Sequence, residues 1–225
     1  MDSKQEQIRK IVDIEWSMFT IVNEGDARAS CQDDRVTFEG MRIAQYKAWS
    51  HDAIASYLND LETARRDNRN LVEEKYIHMM KTTEPARYGA LLDRITVPSE
   101  ESSVLAQEIS DILLTQTRVL FEDYPYVSGQ GRPLYSTFDY GDISVETYQL
   151  GELLTYSEKT LTALLEHVQE LEKNGISLAR AILENTVGFY GYKSLDAAEA
   201  VMKERIDKLG IRVSFGCCPG KECPV

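Results

Sequence analysis

The chain has 225 residues with 37 acidic and 25 basic side chains, a formal net charge of -12 and 43% hydrophobic residues. These values are typical of a globular protein long enough for one large domain or two small ones. The negative charge argues against a nucleic acid or an anionic membrane as partner, because both require a basic surface. No stretch approaches the roughly 18 consecutive apolar residues of a transmembrane helix.

The first ten residues, MDSKQEQIRK, are charged from the start, unlike a secretory signal. We therefore expect a cytoplasmic protein. In that compartment the four cysteines would be thiols or metal ligands rather than disulfides.

Hydrophobic residues recur at three- and four-residue spacing through most of the chain, which predicts helices. The helices predicted in the first half span residues 5–23, 35–49, 50–66, 71–80 and 85–95. Those predicted in the second half span residues 99–121, 144–175 with a break near Ser157, 178–189 and 194–209. The only strand-like alternation is at 211–215, so the predicted class is all-α, as one helical-bundle domain over residues 1–225.

Two segments do not fit the helical pattern. Residues 122–143 form a long loop rich in glycine and tyrosine, and such loops are often lids or binding loops. The other segment is the cysteine-rich tail at 211–225, which contains Cys217, Cys218 and Cys223. Three thiols so close together suit zinc or another soft metal, with Cys31 or His78 as a fourth ligand. A disordered or redox-active tail explains the same residues, because their spacing is not a standard zinc pattern.

The chain also resembles itself at an offset of 110 residues. Residues 38–62 align with 148–172, so that Tyr46 falls on Tyr156, and a three-residue gap then brings Leu71 onto Leu178. This pattern predicts pseudo-repeats at about 5–83 and 100–190 that pack face to face about a pseudo-twofold axis. The alternative is that any two amphipathic helical hairpins align this well.

Several polar residues lie on the apolar faces of predicted helices. Glu15 is in the middle of the first helix's apolar face, and Arg42 and Gln45 interrupt that of the second. Tyr148, Glu152 and Lys159 form a line beside the leucine stripe of the seventh. A buried charge costs several kcal/mol unless it is paired, so Glu15 and Arg42 should have partners and are candidates for each other. They either fix the register of the helices or line a polar pocket within the bundle.

The segment ARASCQDD, residues 27–34, concentrates reactive and polar side chains before the second helix. Asp34 or its neighbour can cap that helix. Arg28 and the helix N-terminus can lower the pKa of the Cys31 thiol, which makes Cys31 a candidate nucleophile. The other interpretations are a pocket-lining thiol and a purely structural residue. Glu15 and Glu152 are the other candidate catalytic groups.

Six segments resemble a bacterial domain-of-unknown-function family, number 4125. They are DIEWSMF, RASCQDD, QYKAW, GRPLYS, ETYQLGELLTYSEKTL and ENTVGFYGYKS, which occur in the family's order over about residues 10–200. The resemblance implies a bacterial, cytoplasmic, all-helical protein. It implies no catalytic roles, because no activity is established for that family.

Two functions follow from these residues as hypotheses. The first is a protein, either a binder or an enzyme of unassigned reaction, that holds a small polar molecule in a cleft between its halves. Several arginines favour an anion such as a carboxylate or phosphate. The residues predicted to bind this ligand are Arg28, Gln32, Asp34, Arg42, Gln45, Arg132, Tyr148 and Tyr156. The second hypothesis is a thiol- or metal-handling protein that uses Cys31 and the tail cysteines. A structural partner protein is a third possibility.

Overall fold

The computed structural model describes residues 3–22, 29–136 and 143–210. Within these ranges the chain forms eleven α-helices and no strand, which confirms the predicted all-α class. The helices of the first half are α1 (Lys4–Phe19), α2 (Arg35–Lys47), α3 (His51–Arg66), α4 (Leu71–Thr83) and α5 (Pro85–Ala90). Those of the second half are α6 (Glu100–Asp123), α7 (Pro125–Ser128), α8 (Val145–Leu153), α9 (Glu158–Lys173), α10 (Leu178–Phe189) and α11 (Leu195–Leu209).

Side-chain caps explain where most of these helices begin. Ser50 accepts a hydrogen bond from the backbone N–H of Ala53 and opens α3. Ser157 opens α9 in the same way, so the break predicted near this residue is confirmed. At the other end of the chain, Gly210 closes α11 with a left-handed φ of 63°, as a glycine at this position commonly does.

The helices pack as two groups that meet along three contacts. In the first group α1 lies against α2, α3 and α4, and in the second α6 lies against α8, α9 and α10. The groups join where α3 meets α9, α2 meets α10 and α4 meets α8. One hydrophobic core runs through both groups, and a smaller cluster of Val187, Leu195 and Ala198 lies beneath α11.

A glycine on α8 permits the close approach of α4. A Cβ on Gly151 would lie 2.7 Å from Cγ of Met79 and 3.1 Å from the carbonyl oxygen of Lys75. The absence of a side chain at Gly151 therefore brings Lys75 of α4 alongside Glu152 of α8.

Some predicted elements differ from the structure or fall outside its described residues. The first helix ends at Phe19 rather than at residue 23. The helix predicted at 85–95 is split into α5 and a 3₁₀ turn at Leu92–Arg94, and the loop predicted at 122–143 contains α7. The strand-like segment 211–215 and the tail cysteines lie outside the described residues. No helix in the described part of the chain is long and apolar enough to cross a membrane.

Candidate functional site

Arg42 is the centre of a buried hydrogen-bond network. Its side chain uses all five guanidinium N–H groups on protein acceptors. Nε and Nη2 donate to Glu15 at 2.8 and 2.5 Å, and Nη2 also donates to the hydroxyl of Tyr46. Nη1 donates to Oε1 of Gln45 at 3.0 Å and to both carboxylate oxygens of Glu152 at 3.0 and 3.1 Å. Arg42 therefore joins α1, α2 and α8 through one planar group.

Glu152 is the second carboxylate of the network. It accepts hydrogen bonds from Nζ of Lys75 at 2.5 Å, Nε2 of Gln45 at 3.0 Å and the hydroxyl of Tyr156 at 2.7 Å, in addition to Arg42. Burial alone would raise the pKa of the Glu152 carboxyl. The charges of Arg42 and Lys75, together with the hydrogen bonds, outweigh burial and hold this pKa well below its usual range. Glu152 is therefore ionised at neutral pH.

Two further tyrosines complete the shell of Glu15. The hydroxyls of Tyr46 and Tyr57 donate to Oε1 of Glu15 at 2.6 and 2.7 Å. Burial raises the pKa of both hydroxyls, and that of Tyr156, well above the ordinary value. All three tyrosines are therefore neutral hydrogen-bond donors.

The charges of the network balance. Glu15 and Glu152 carry the negative charges, and Arg42 and Lys75 carry the positive ones. Each of these four residues is buried, and Glu15 is only 2% exposed. Buried ions need charge partners and saturated hydrogen bonds, and this cluster supplies both from its own members.

Tyr148 extends the network toward the surface. Nζ of Lys75 lies 3.4 Å from the centre of its ring, and Cζ of Arg132 lies 4.6 Å from the same centre. Both distances are within the range of a cation–π interaction. Among the described residues the Tyr148 hydroxyl has no hydrogen-bond partner, so no other side chain in that part of the chain occupies its donor or acceptor.

A cavity of about 560 Å³, here called the central cavity, opens beside the network. Met41 and Gln45 of α2 and Trp49 of the following turn line it from the first half, and the remaining walls belong to the second half. These walls are mainly apolar, with side chains such as Leu113, Leu120, Leu153, Ile182, Leu183 and Val187. Gln45, Tyr148, Glu152 and Tyr156 also line it, and they supply a polar edge to a cavity that is otherwise mostly apolar.

The structure brings together most of the residues that we predicted from apolar-face positions. Glu15, Arg42, Gln45, Glu152 and Tyr156 share the network, and the pairing expected between Glu15 and Arg42 is confirmed. Tyr148 and Arg132 are linked to it through the ring contacts described above.

The residues predicted from the 27–34 segment are placed elsewhere. Gln32 is buried, but its amide donates to the carbonyls of Phe19 and Val22 and so holds the end of α1. Asp34 is exposed and accepts from the Thr37 N–H as the cap of α2, which lowers its pKa. Cys31 is exposed in a 3₁₀ turn.

The tail cysteines predicted to bind a metal are not placed by the structure, and neither is the predicted ligand-binding residue Arg28. Arg28, Cys217, Cys218 and Cys223 lie outside the described residues. Among the residues that the structure describes, no group of three or more His, Cys, Asp or Glu side chains is arranged to hold a metal ion.

Sequence reasoning missed three members of the network. Lys75 lies four residues after Leu71 and four before Met79 on the buried face of α4, the same signal that identified Glu15. The sequence analysis identifies Tyr46 only as a repeat position and does not single out Tyr57. The signal for both was that a buried tyrosine hydroxyl needs a hydrogen-bond partner.

Residues 5–200 match the model of a family described as "Protein of unknown function (DUF4125)". The chain belongs to the DUF4125 family. The match includes every member of the buried network and confirms the resemblance inferred from the sequence motifs. Neither the curated proteins nor the solved structures include a match to this family member.

Proposed function

We propose that this DUF4125 protein binds a small molecule in the central cavity, with the ligand's apolar body among the leucines and its polar group at the Gln45–Tyr148 edge. The observation that carries the proposal is the cavity itself. Its volume of about 560 Å³ is within the usual range for small-molecule sites, roughly 300–1,000 Å³. Apolar walls with a few converging polar groups are the ordinary composition of such sites.

The polar group of the ligand is uncharged in this proposal. The sequence favoured an anion because of its arginines, but every N–H of Arg42 already has a protein acceptor. The network is also electrically balanced, so an added anion or cation would lack a charge partner within it, and the nearby Arg132 stacks on the Tyr148 ring without lining the cavity. The Tyr148 hydroxyl and the second amide hydrogen of Gln45 can instead bind a neutral amide, carbonyl or hydroxyl group.

We also propose that the two halves arose by duplication and are related by a pseudo-twofold axis, with the cavity between them. The packing partners support this relation. The neighbours α2, α3 and α4 of α1 correspond in order to the neighbours α8, α9 and α10 of α6. The contact of α2 with α10 corresponds to that of α4 with α8, and α3 packs on its own counterpart α9.

The helix caps support the same duplication, and they change the position of the three-residue gap in the alignment of the two halves. Helices α3 and α9 each have 16 residues and a serine cap, and aligning Ser50 with Ser157 changes the offset of 110 residues by three. In this register Ile54, Leu58 and Leu61 align with Leu161, Leu165 and Val168, and all six are buried. The gap therefore belongs in the turn before α3 and α9, not after these helices as the sequence alignment placed it.

A difference between the halves accounts for the apolar wall of the cavity. Helices α1 and α6 share a spacing of buried residues. In α1 these residues are Ile8, Ile11, Val12, Glu15 and Met18, and in α6 they are Ala106, Ile109, Ser110, Leu113 and Gln116. In that alignment Glu15 corresponds to Leu113, which lines the central cavity. The first half thus fills this position with a charge that binds Arg42, and the second half leaves an apolar surface.

Thermal melting with a matched pair of ligands tests the proposed function. Naphthamide has an apolar body and a neutral polar group, whereas naphthoate replaces that group with an anion. We expect naphthamide to raise the melting temperature more than naphthoate does. A stronger effect of naphthoate would contradict the neutral polar group, and no effect of either compound would contradict binding in the cavity.

A cavity-filling variant locates the binding. Thr117 of α6 lines the central cavity and donates its hydroxyl to the carbonyl of Leu113. Thr117→Trp should abolish the effect of naphthamide. Thr115→Trp is the control, because Thr115 makes the same type of bond, to Asp111, on the exposed face of α6. If Thr117→Trp responds like the control, the ligand binds somewhere else.

A further inference from the structure

A second cavity of about 620 Å³ lies between the C-terminal part of α4, the beginning of α6 and helix α8. It differs from the central cavity because most of its lining side chains are polar. The part of the wall that matters here comprises His78, Lys81, Thr82, Thr83, Ser103 and Thr147. Such a wall offers hydrogen-bond partners beside apolar surface from residues such as Leu150 and Leu154.

His78 is the member of this wall that points most clearly to a ligand. It is only 4% exposed, and its buried Nε2 atom has no hydrogen-bond partner among the described residues. A buried polar atom without a partner costs free energy, which binding of a suitable molecule would recover. Desolvation, with a smaller effect of Lys81, lowers the pKa of His78 to about 4. The ring that faces the ligand at neutral pH is therefore uncharged.

Three of the hydroxyl protons along the wall are already committed. Thr82 and Thr83 donate to the carbonyl of Met79 at 3.3 and 3.2 Å, and Ser103 donates to the carbonyl of Ser99 at 2.8 Å. Each hydroxyl has one proton but two acceptor lone pairs. These side chains can therefore accept hydrogen bonds from a ligand more readily than they can donate them.

A closed ring of three hydroxyls strengthens this bias. Ser136 donates to Ser144 at 3.0 Å, and Ser144 donates to Thr147 at 3.1 Å. Ser136 and Thr147 also lie 3.0 Å apart, and Thr147 is the only one of the three with a proton left for that bond. Ser136 and Thr147 line the cavity, so they too present lone pairs.

The two charged groups of the wall add one acceptor and one donor. Glu146 is half-buried and Lys81 is exposed, and neither has an ion-pair partner among the described residues. Because Lys81 opposes a cationic ligand and Glu146 opposes an anionic one, a neutral molecule suits this wall best.

We propose that this second cavity is a binding site for a neutral polyhydroxylated molecule, a polyol or a sugar, with the ring of His78 in its wall as a hydrogen-bond partner. Such a molecule supplies many hydroxyl donors, which match the lone pairs of the wall. It also retains acceptors for Lys81. The proposal concerns a different cavity from the one described under Proposed function, and either site can exist without the other.

The test is an NMR titration of protein carrying isotope-labelled histidine. The chain has three histidines, so His51 on the surface and His167, whose Nε2 lies 2.9 Å from the carbonyl oxygen of Ala48, are internal controls. The probes are myo-inositol and glucose, with putrescine as the amine and inorganic phosphate as the anion. We expect a polyol to shift the His78 ring signals saturably and to leave the control signals unchanged. A response to putrescine or phosphate alone, or no response to either polyol, would overturn the proposal.

Two variants separate binding from folding. His78→Leu removes the buried partner and should weaken polyol binding about tenfold, measured by calorimetry. Ser103→Trp fills the cavity from α6 and should abolish binding even if His78→Leu does not fold. Glu101→Trp, on an exposed position of the same helix, should bind like the parent. Unchanged binding by Ser103→Trp would overturn the assignment to this cavity.

Discussion

Arg42 donates hydrogen bonds from Nη1 to both carboxylate oxygens of Glu152, at 3.0 and 3.1 Å. The two residues are 110 positions apart in the chain. Their separation equals the offset at which the chain resembles itself. Under the proposed duplication, the two positions are therefore counterparts of each other and face each other across the pseudo-twofold axis. Opposite charges at such positions attract, whereas identical residues would have placed like charges in contact.

Removal of Arg42 should destabilise the protein strongly. Arg42→Met leaves Glu15 without a cation and Glu152 with Lys75 alone, so we expect a loss of about 3–5 kcal/mol in the free energy of unfolding, measured by urea denaturation. Arg35→Met removes exposed ion pairs with Asp13 and Glu39 and should change stability little. An Arg42→Met protein as stable as the parent would show instead that Arg42 is held ready for a ligand.

The tyrosine hydroxyls should contribute different amounts to the free energy of unfolding, depending on their hydrogen-bond partners. Tyr57→Phe deletes a donor to the buried carboxylate of Glu15, which should cost about 2 kcal/mol. Tyr148→Phe deletes a hydroxyl without a partner among the described residues and should leave the free energy of unfolding unchanged. Equal losses in both variants would mean that the hydrogen bond to Glu15 is not what stabilises the network.

Gly151 should be intolerant of a side chain. Gly151→Ala places a methyl group against Met79 and the carbonyl oxygen of Lys75, so α4 and α8 must separate at a cost of about 1–3 kcal/mol. Gly188 of α10 has no atom near its Cβ position, and Gly188→Ala should be neutral or stabilising. The melting temperatures of the two variants test the close approach of α4 and α8. A Gly151→Ala protein with the melting temperature of the parent would refute it.

Protonation of His78 should produce an early loss of stability on acidification. Its pKa falls from an ordinary 6.5 to about 4 in the folded protein, so the unfolded chain binds the proton first as the pH decreases. The free energy of unfolding should therefore fall by roughly 3 kcal/mol between about pH 7 and pH 4. His78→Leu should remove this slope, whereas the exposed His51→Leu should retain it.

Protonation of Glu152 should lower the free energy of unfolding in a separate and more acidic pH range. Its folded-state pKa is lowered, so its contribution to stability is present above the ordinary glutamate value of 4.5 and is lost below it. Urea denaturation from pH 7 to pH 3 should therefore show two stages of weakening. If His78→Leu keeps the same slope above pH 5, the buried neutral state of His78 is refuted.

The helices could be predicted because their signals are local. A serine such as Ser50 or Ser157 marks a helix start within one turn, and the period of the apolar residues marks its length. The shortened end of α1 could not be predicted in this way. The carbonyl of Phe19, its last residue, and that of Val22 beyond it accept hydrogen bonds from Gln32, a residue that becomes a neighbour only after the chain folds.

The buried network was predictable in part. Glu15 and Arg42 stood out because each lies on an apolar face. Their positions showed that they needed partners, but not that Lys75 would complete the charge balance from a helix in contact with α8. A polar cleft between the halves was a hypothesis from the sequence, but the volumes and walls of the two cavities were not predictable, because each is the space left between helices whose separation depends on packing. The free Nε2 of His78 is likewise a property of the assembled bundle.

The charge balance of the buried network restricts how this protein can change over evolutionary time. A mutation that replaces Arg42 alone leaves two buried carboxylates with one cation, and a mutation that replaces Glu152 alone leaves two cations with one carboxylate. Neither single step is neutral, so divergence here requires paired substitutions. Relatives that lack Arg42 should therefore also lack Glu15 or Glu152, and these positions should vary together while the apolar positions around them vary one at a time.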